Sequence, residues 1–171
     1  ALFLTEGSPG NKNIAIGDAA LGGADVAGSA NYGIGTNAMT ALTSGNRNVA
    51  FGWNAAASLT TGAENIAIGP YTMQLGTVSG GKNIAIGIRA LEDLSTGNHN
   101  VAIGSCAMLE TETGRLNIAI GSGSMGNGAV TGKRNIALGT SGSAKLTSGL
   151  DNIVVGTEAG KSITSNNVNI L

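Results

Sequence analysis

The sequence predicts an all-β fold of the parallel β-helix or β-roll kind, a solenoid whose turns are ~17 residues long. Three observations predict it: a short unit recurring along nearly the whole chain, apolar alternation of period two inside each unit, and glycines at two fixed places in each.

The unit reads Gly-x-x-Asn-apolar-Ala-apolar-Gly. Its Asn falls at 13, 31, 48, 65, 83, 100, 117, 135, 152 and 169, at intervals of 18, 17 and 17 repeated three times. If each unit is one turn, strands stack ~4.8 Å apart and ten turns make a rod of roughly 45 Å. The asparagines then lie above one another, and Asn13, Asn48, Asn65, Asn83, Asn100, Asn117, Asn135 and Asn152 are expected to form an amide ladder along the axis.

The strand comes next. After Asn stand Ile14, Tyr32, Val49, Ile66, Ile84, Val101, Ile118, Ile136, Ile153 and Ile170, and two further on Ile16, Ile34, Phe51, Ile68, Ile86, Ile103, Ile120, Leu138 and Val155. β-Branched residues in strict alternation mark a short strand with one apolar face. The expectation is that Ile14, Ile68, Ile86 and Ile120 are buried in one column. The residue between is Ala in seven units, with Gly33 and Val154 in the others. Confinement to small side chains predicts that this second face is also closely approached, by another chain. Overpacking at Ala85 or Ala102 is then expected to disrupt assembly.

A Gly closes each strand, from Gly17 to Gly156, and another precedes each Asn by three residues, from Gly10 to Gly149, with Asn166 in the last unit. Gly and Asn adopt positive φ most readily, so both sets are read as left-handed corners. Before the second corner comes Ser or Thr: Ser44, Thr61, Ser79, Thr96, Thr113, Thr131, Ser148 and Ser165, whose hydroxyls can satisfy turn backbone. The second half of the unit carries Leu21, Met39, Ala56, Met73, Leu91, Met108 or Met125, fading to Ser143 and Gly160, where a thinner core is expected. Later come Leu42, Leu59, Leu94, Leu146 or Ile163, while the 18-residue units place Val26, Val78 and Val130 one step nearer the next Asn. About four bulky columns per turn are fewer than a triangular coil needs, which favours a flattened coil or a core shared between chains.

Organisation follows directly. Residues 1–9 are a lead-in and 10–171 are the repeat shaft, about ten turns with the last incomplete. Neither end reads as a cap, and the chain starts at Ala1 without Met, so a segment of something longer is expected.

Composition narrows function. With 29 Gly, 3% aromatics and 11% charged residues, no thick globular core is available, yet 42% hydrophobic residues argue against disorder. A net charge of −1 without a basic stripe argues against nucleic acid, and no apolar run reaches the ~18 residues of a membrane span. One cysteine, Cys106, leaves no internal disulfide framework.

The strings Asn65-Ile66-Ala67-Ile68-Gly69, Asn83-Ile84-Ala85-Ile86-Gly87-Ile88-Arg89-Ala90-Leu91 and Leu94-Ser95-Thr96-Gly97-Asn98-His99-Asn100 resemble the Ala-Ile-Gly repeats of phage tail-fibre shafts. A pattern with shorter units occurs in the heads of trimeric autotransporter adhesins. The likeness spans residues 10–170. It implies a parallel, intertwined homotrimer acting as a structural shaft in host-cell attachment, located on a virion tail or cell surface. Any host glycan would be bound through a neighbouring tip domain.

Catalytic chemistry is not expected, nor a metal or cofactor. His99 stands in a variable corner column with Arg47, Glu64, Lys82, Leu116, Arg134 and Asp151, and no ligand spacing links it to a Cys or second His. Cys106 shares a column with Arg89, Ser141 and Glu158 and has no partner base in the pattern. Glu92-Asp93 and Glu110 to Glu112 offer carboxylates, as a glycosidase needs, but in variable columns. Trp53 and Tyr71 occupy exposed-looking columns and are the candidate surface contacts, since rings stack on sugars. The alternative functions are the adhesin head of a trimeric autotransporter, which the resemblance implies, or an ice-binding solenoid. The latter would display two parallel Thr columns on one flat face, whereas one consistent Ser/Thr column is present.

Overall fold

The computed structural model describes residues 2–5, 12–22, 26–126, 128, 130–142, 146–165, 167 and 170. It is a β-solenoid. One ten-stranded sheet runs in sequence order through β1 (Leu2–Thr5), β2 (Asn13–Ile16), β3 (Tyr32–Ile34), β4 (Val49–Phe51), β5 (Ile66–Ile68), β6 (Ile84–Ile86), β7 (Val101–Ile103), β8 (Ile118–Ile120), β9 (Ile136–Leu138) and β10 (Ile153–Val155). Strands β2 to β10 are parallel and in register, one per turn, so that Ile84 sits over Ile66 and Ala85 over Ala67. They span about eight turns of about 17 residues. The tenth unit begins with a parallel bridge between Ile153 and Ile170. Gly10, Ser143, Asn166 and Asn169 lie outside the described residues.

The N-terminal end carries a strand of its own, and one expectation is corrected in the core. Within the lead-in, β1 pairs antiparallel with β2, Leu2 opposite Ile16 and Thr5 opposite Asn13. It occupies the edge that a preceding turn would otherwise use, which is how an open sheet edge is blunted. In the core, the strand is reversed relative to expectation. The small residue points inward, with Ala50, Ala67, Ala85, Ala102, Ala119 and Ala137 all fully buried, while Ile68 and Ile120 are about two-fifths exposed and Ile14 and Ile86 half-buried. Ile14 also belongs to the column beside the other three, as the pairing of Ile14 with Tyr32 and of Ile16 with Ile34 makes plain.

The reason is thickness. The inward Ala layer packs directly on the opposite wall, built from Met39, Met73, Leu91, Met108 and Met125, with Leu42, Leu59, Leu94, Leu146, Val78 and Val130 at the far corner. Two bulky inward columns rather than four make the coil flat, and a flat coil has room only for methyl groups between its sheet and that wall. Ala85 and Ala102 are therefore constrained by their own chain. The close approach that their size predicted is intramolecular.

The corners also differ from the reading of the glycines. The glycines closing the strands do adopt positive φ, from 124° at Gly69 to 139° at Gly52. Those three residues before Asn do not, and their requirement is spatial: a Cβ on Gly97 would lie 2.6 Å from the carbonyl oxygen of Gly114 in the next turn. The left-handed residue at this corner is the one just before Asn, where Arg47, Glu64, Lys82, His99, Leu116, Arg134 and Asp151 all have φ between 56° and 61°. Two more left-handed positions per turn follow the strand, as at Arg89 (58°) and Leu91 (50°). In the second and third 18-residue turns a further glycine has positive φ, Gly76 at 82° and Gly128 at 137°.

Candidate interaction surface

The asparagine ladder fixes the geometry on which the outer surface depends. Asn83 donates from Nδ2 to Asn65 Oδ1 (3.1 Å) and to the Gly97 carbonyl (2.9 Å), while its own Oδ1 accepts the backbone N–H of Asn100 (3.0 Å) and Asn100 Nδ2 (3.1 Å). The same bonds recur along Asn48, Asn65, Asn100, Asn117 and Asn135, and Asn31 belongs to the run. Asn13 and Asn152 take part at either end. The amide has the right functionality because the backbone bends at this residue, so its N–H finds a side-chain carbonyl in place of a sheet partner. Only an amide both accepts that N–H and donates across the turn. All of these asparagines are buried.

Register held this firmly lines up the outward side chains in two unbroken columns from β2 to β10. Eight inter-strand steps of ~4.8 Å and two columns ~7 Å apart, with side-chain width added, give an apolar face on the order of 500 Å². Its members are Ile, Val and Leu apart from Tyr32 and Phe51, and Phe51 and Val155 are more than half exposed. A face of this size lies at the upper end of what a monomeric surface ordinarily carries.

Of the other candidates, Trp53 and Tyr71 are brought together as a pair. Trp53 is exposed and Tyr71 half-buried on consecutive turns, their ring centroids 5.0 Å apart and tilted by 53°. They form one edge-tilted pair at the corner beside the strand face. His99 is exposed, and Cys106 is a half-buried free thiol with Ser105 Oγ 3.7 Å away. Glu92 is buried and held by Arg89 Nε at 2.7 Å. Beside it, burial and the charges of Glu92, Glu110 and Glu112 push the Asp93 carboxyl above its ordinary range, opposed in part by Arg89. Among the described residues no three His, Cys, Asp or Glu side chains gather as a metal-binding group, and no helix is long and apolar enough to cross a membrane.

No family model, curated protein or solved structure matches this chain.

The hydroxyl array bears on the ice-binding alternative. Hydroxyls of Thr43, Thr60, Ser95 and Thr147, one position before the predicted Ser/Thr column, donate to carbonyls of the next turn, and Thr131 does so from the predicted column. These groups are committed to holding turns together.

Two functional features were missed in the sequence. Thr111 occupies the buried Leu column and its Oγ1 has no hydrogen-bond partner, a break visible only once the columns are known to face inward. The outward direction of the isoleucines was the other. Alternation identifies two faces without saying which is the inner one.

Proposed function

We propose that this chain is a stiff structural rod, a fibre shaft of the phage tail-fibre type, that works as a homotrimer at a virion tail or cell surface and supports attachment to host cells. The observation that carries the reading is the continuous isoleucine face. Covering it would stabilise by about 25 cal/mol for each Å² removed from water, and it recurs on every turn rather than forming a local patch. One copy of the face is smaller than the ~800 Å² per partner of a stable pair. Three copies closing around an axis cover the face of every chain at once, on the order of 1,500 Å² in all. The function rests on stiffness: each turn is tied to the next by backbone bonds, the amide ladder and hydroxyl bonds, with axial ion pairs such as Arg134 Nε to Asp151 Oδ1 at 2.5 Å on the surface. The resemblance of the repeats to those of tail-fibre shafts supplies the biological setting, and the fold is compatible with it.

Sedimentation equilibrium tests the assembly directly. The expected mass is three times 16.7 kDa, about 50 kDa. A monomer across the accessible concentration range would remove the basis for the shaft.

A further inference from the structure

A ladder this regular creates a problem of register that the sequence of the face addresses. Were two copies to slide past one another by one turn, ~4.8 Å, almost every Ile would meet an equivalent Ile or Val and contacts would be lost only at the ends. The fold's own irregularity gives limited help, because the glycine bulges at Gly76 and Gly128 are 52 residues apart and return to alignment after three turns. What does not recur is an aromatic pair. Among the outward positions of β2 to β10, rings occur only at Tyr32 and Phe51. They stand on the neighbouring strands β3 and β4, in different columns, with Tyr32 paired to Val49 and Ile34 to Phe51. Both project, at 40% and 53% exposure.

We infer that Tyr32 and Phe51 set the axial register in which copies of this chain associate through the isoleucine face; the inference rests on the self-association reading above. When copies are aligned, the two layers containing rings coincide and the face widens at the same height in every chain. When they are slipped by one turn, one ring layer of each copy faces the other kind of ring in the wrong column and the remaining ring meets shorter Ile or Val side chains, which holds the adjoining layers apart and leaves voids that close packing penalises. β3 carries Gly33 in place of the inward Ala, and the space there is filled by Leu21 and Met39, near 3.2 and 3.4 Å from where a Cβ would stand. The inner layer is thus adjusted at the same strand that carries the larger outer ring.

The test is a pulsed electron paramagnetic resonance measurement on the full chain with Cys106→Ser and a nitroxide on Thr113→Cys, an exposed corner site away from the face. The associated fraction, isolated by size, is compared with and without Tyr32→Ile and Phe51→Ile together. One interspin distance is expected with the native pair. Several are expected with the isoleucine variant, from copies offset axially in steps of ~4.8 Å. A single distance in both, or several distances in both, would overturn the assignment. Loss of association in the variant would assign the rings to affinity and also overturn it. A native chain found only as a monomer would instead remove the underlying self-association reading, which keeps the two failures apart.

Discussion

Replacing Asn83 with Ala deletes one rung in the middle of the ladder and cuts four hydrogen bonds: two donated by its Nδ2 to Asn65 and Gly97, and two accepted by its Oδ1 from Asn100. At about 1 kcal/mol net for each bond the loss is about 4 kcal/mol. The backbone N–H of Asn100 is then left buried without its acceptor, which keeps the figure from falling lower. Against a typical total of about 5–15 kcal/mol for a domain, the expected change is large. Urea unfolding followed by far-ultraviolet circular dichroism measures it. Asn83→Asp separates the two halves of the rung. The carboxylate still accepts from Asn100 but faces the Asn65 and Gly97 oxygens without a donor, so its folded pKa is raised above the unfolded value. The variant is then least destabilised below the unfolded pKa, and stability is lost as pH rises through the folded one. A cost under about 1 kcal/mol for Asn83→Ala, or an Asn83→Asp deficit that does not grow with pH, would refute the ladder argument.

Thr111→Val removes the orphaned hydroxyl while keeping the shape, and is expected to stabilise by about 1–3 kcal/mol in the same unfolding assay. Gly97→Ala places a methyl against the Gly114 carbonyl and is expected to destabilise by about 1–3 kcal/mol, and Gly97→Asn should be no better tolerated, since space rather than positive φ sets the requirement. Asp93→Asn should flatten the pH dependence of stability. The native carboxyl, raised by burial and by Glu92, Glu110 and Glu112, favours the fold below its unfolded pKa and loses that contribution as pH rises through the folded pKa.

The solenoid was legible because its information is repeated. Period, strand position, parallel register and the asparagine ladder all follow from aligning the chain with itself, and the structure places them as expected. The inward sense was not legible for a specific reason. An Ile-Ala-Ile strand has a larger apolar side and a smaller one, and hydrophobicity alone turns the larger inward. Here Met73, Leu91 and Met108 on the opposite wall already fill the thin interior, leaving room only for Ala67, Ala85 and Ala102. Left-handed residues escaped notice likewise, because Arg47, Glu64 and His99 carry no sequence mark of positive φ. Glycine, the usual mark, was conspicuous three residues before Asn for a different reason, the stacking of one turn's backbone on the next. As for the surface, Trp53 and Tyr71 are brought together as a pair, but the face that dominates the exterior was hidden among residues assigned to the core.

The measurement that bears most directly on the inside-out strand and the proposed association through its outer face is the double substitution Ile68→Lys and Ile86→Lys, followed by circular dichroism melting and sedimentation equilibrium. Outward lysines would extend into water and repel their counterparts on other copies. The account predicts a folded solenoid of monomer mass, 16.7 kDa, beside a native chain of three times that mass. A variant that fails to fold would place the isoleucines inside the coil, and one that folds and keeps the native mass would show that the face joins nothing.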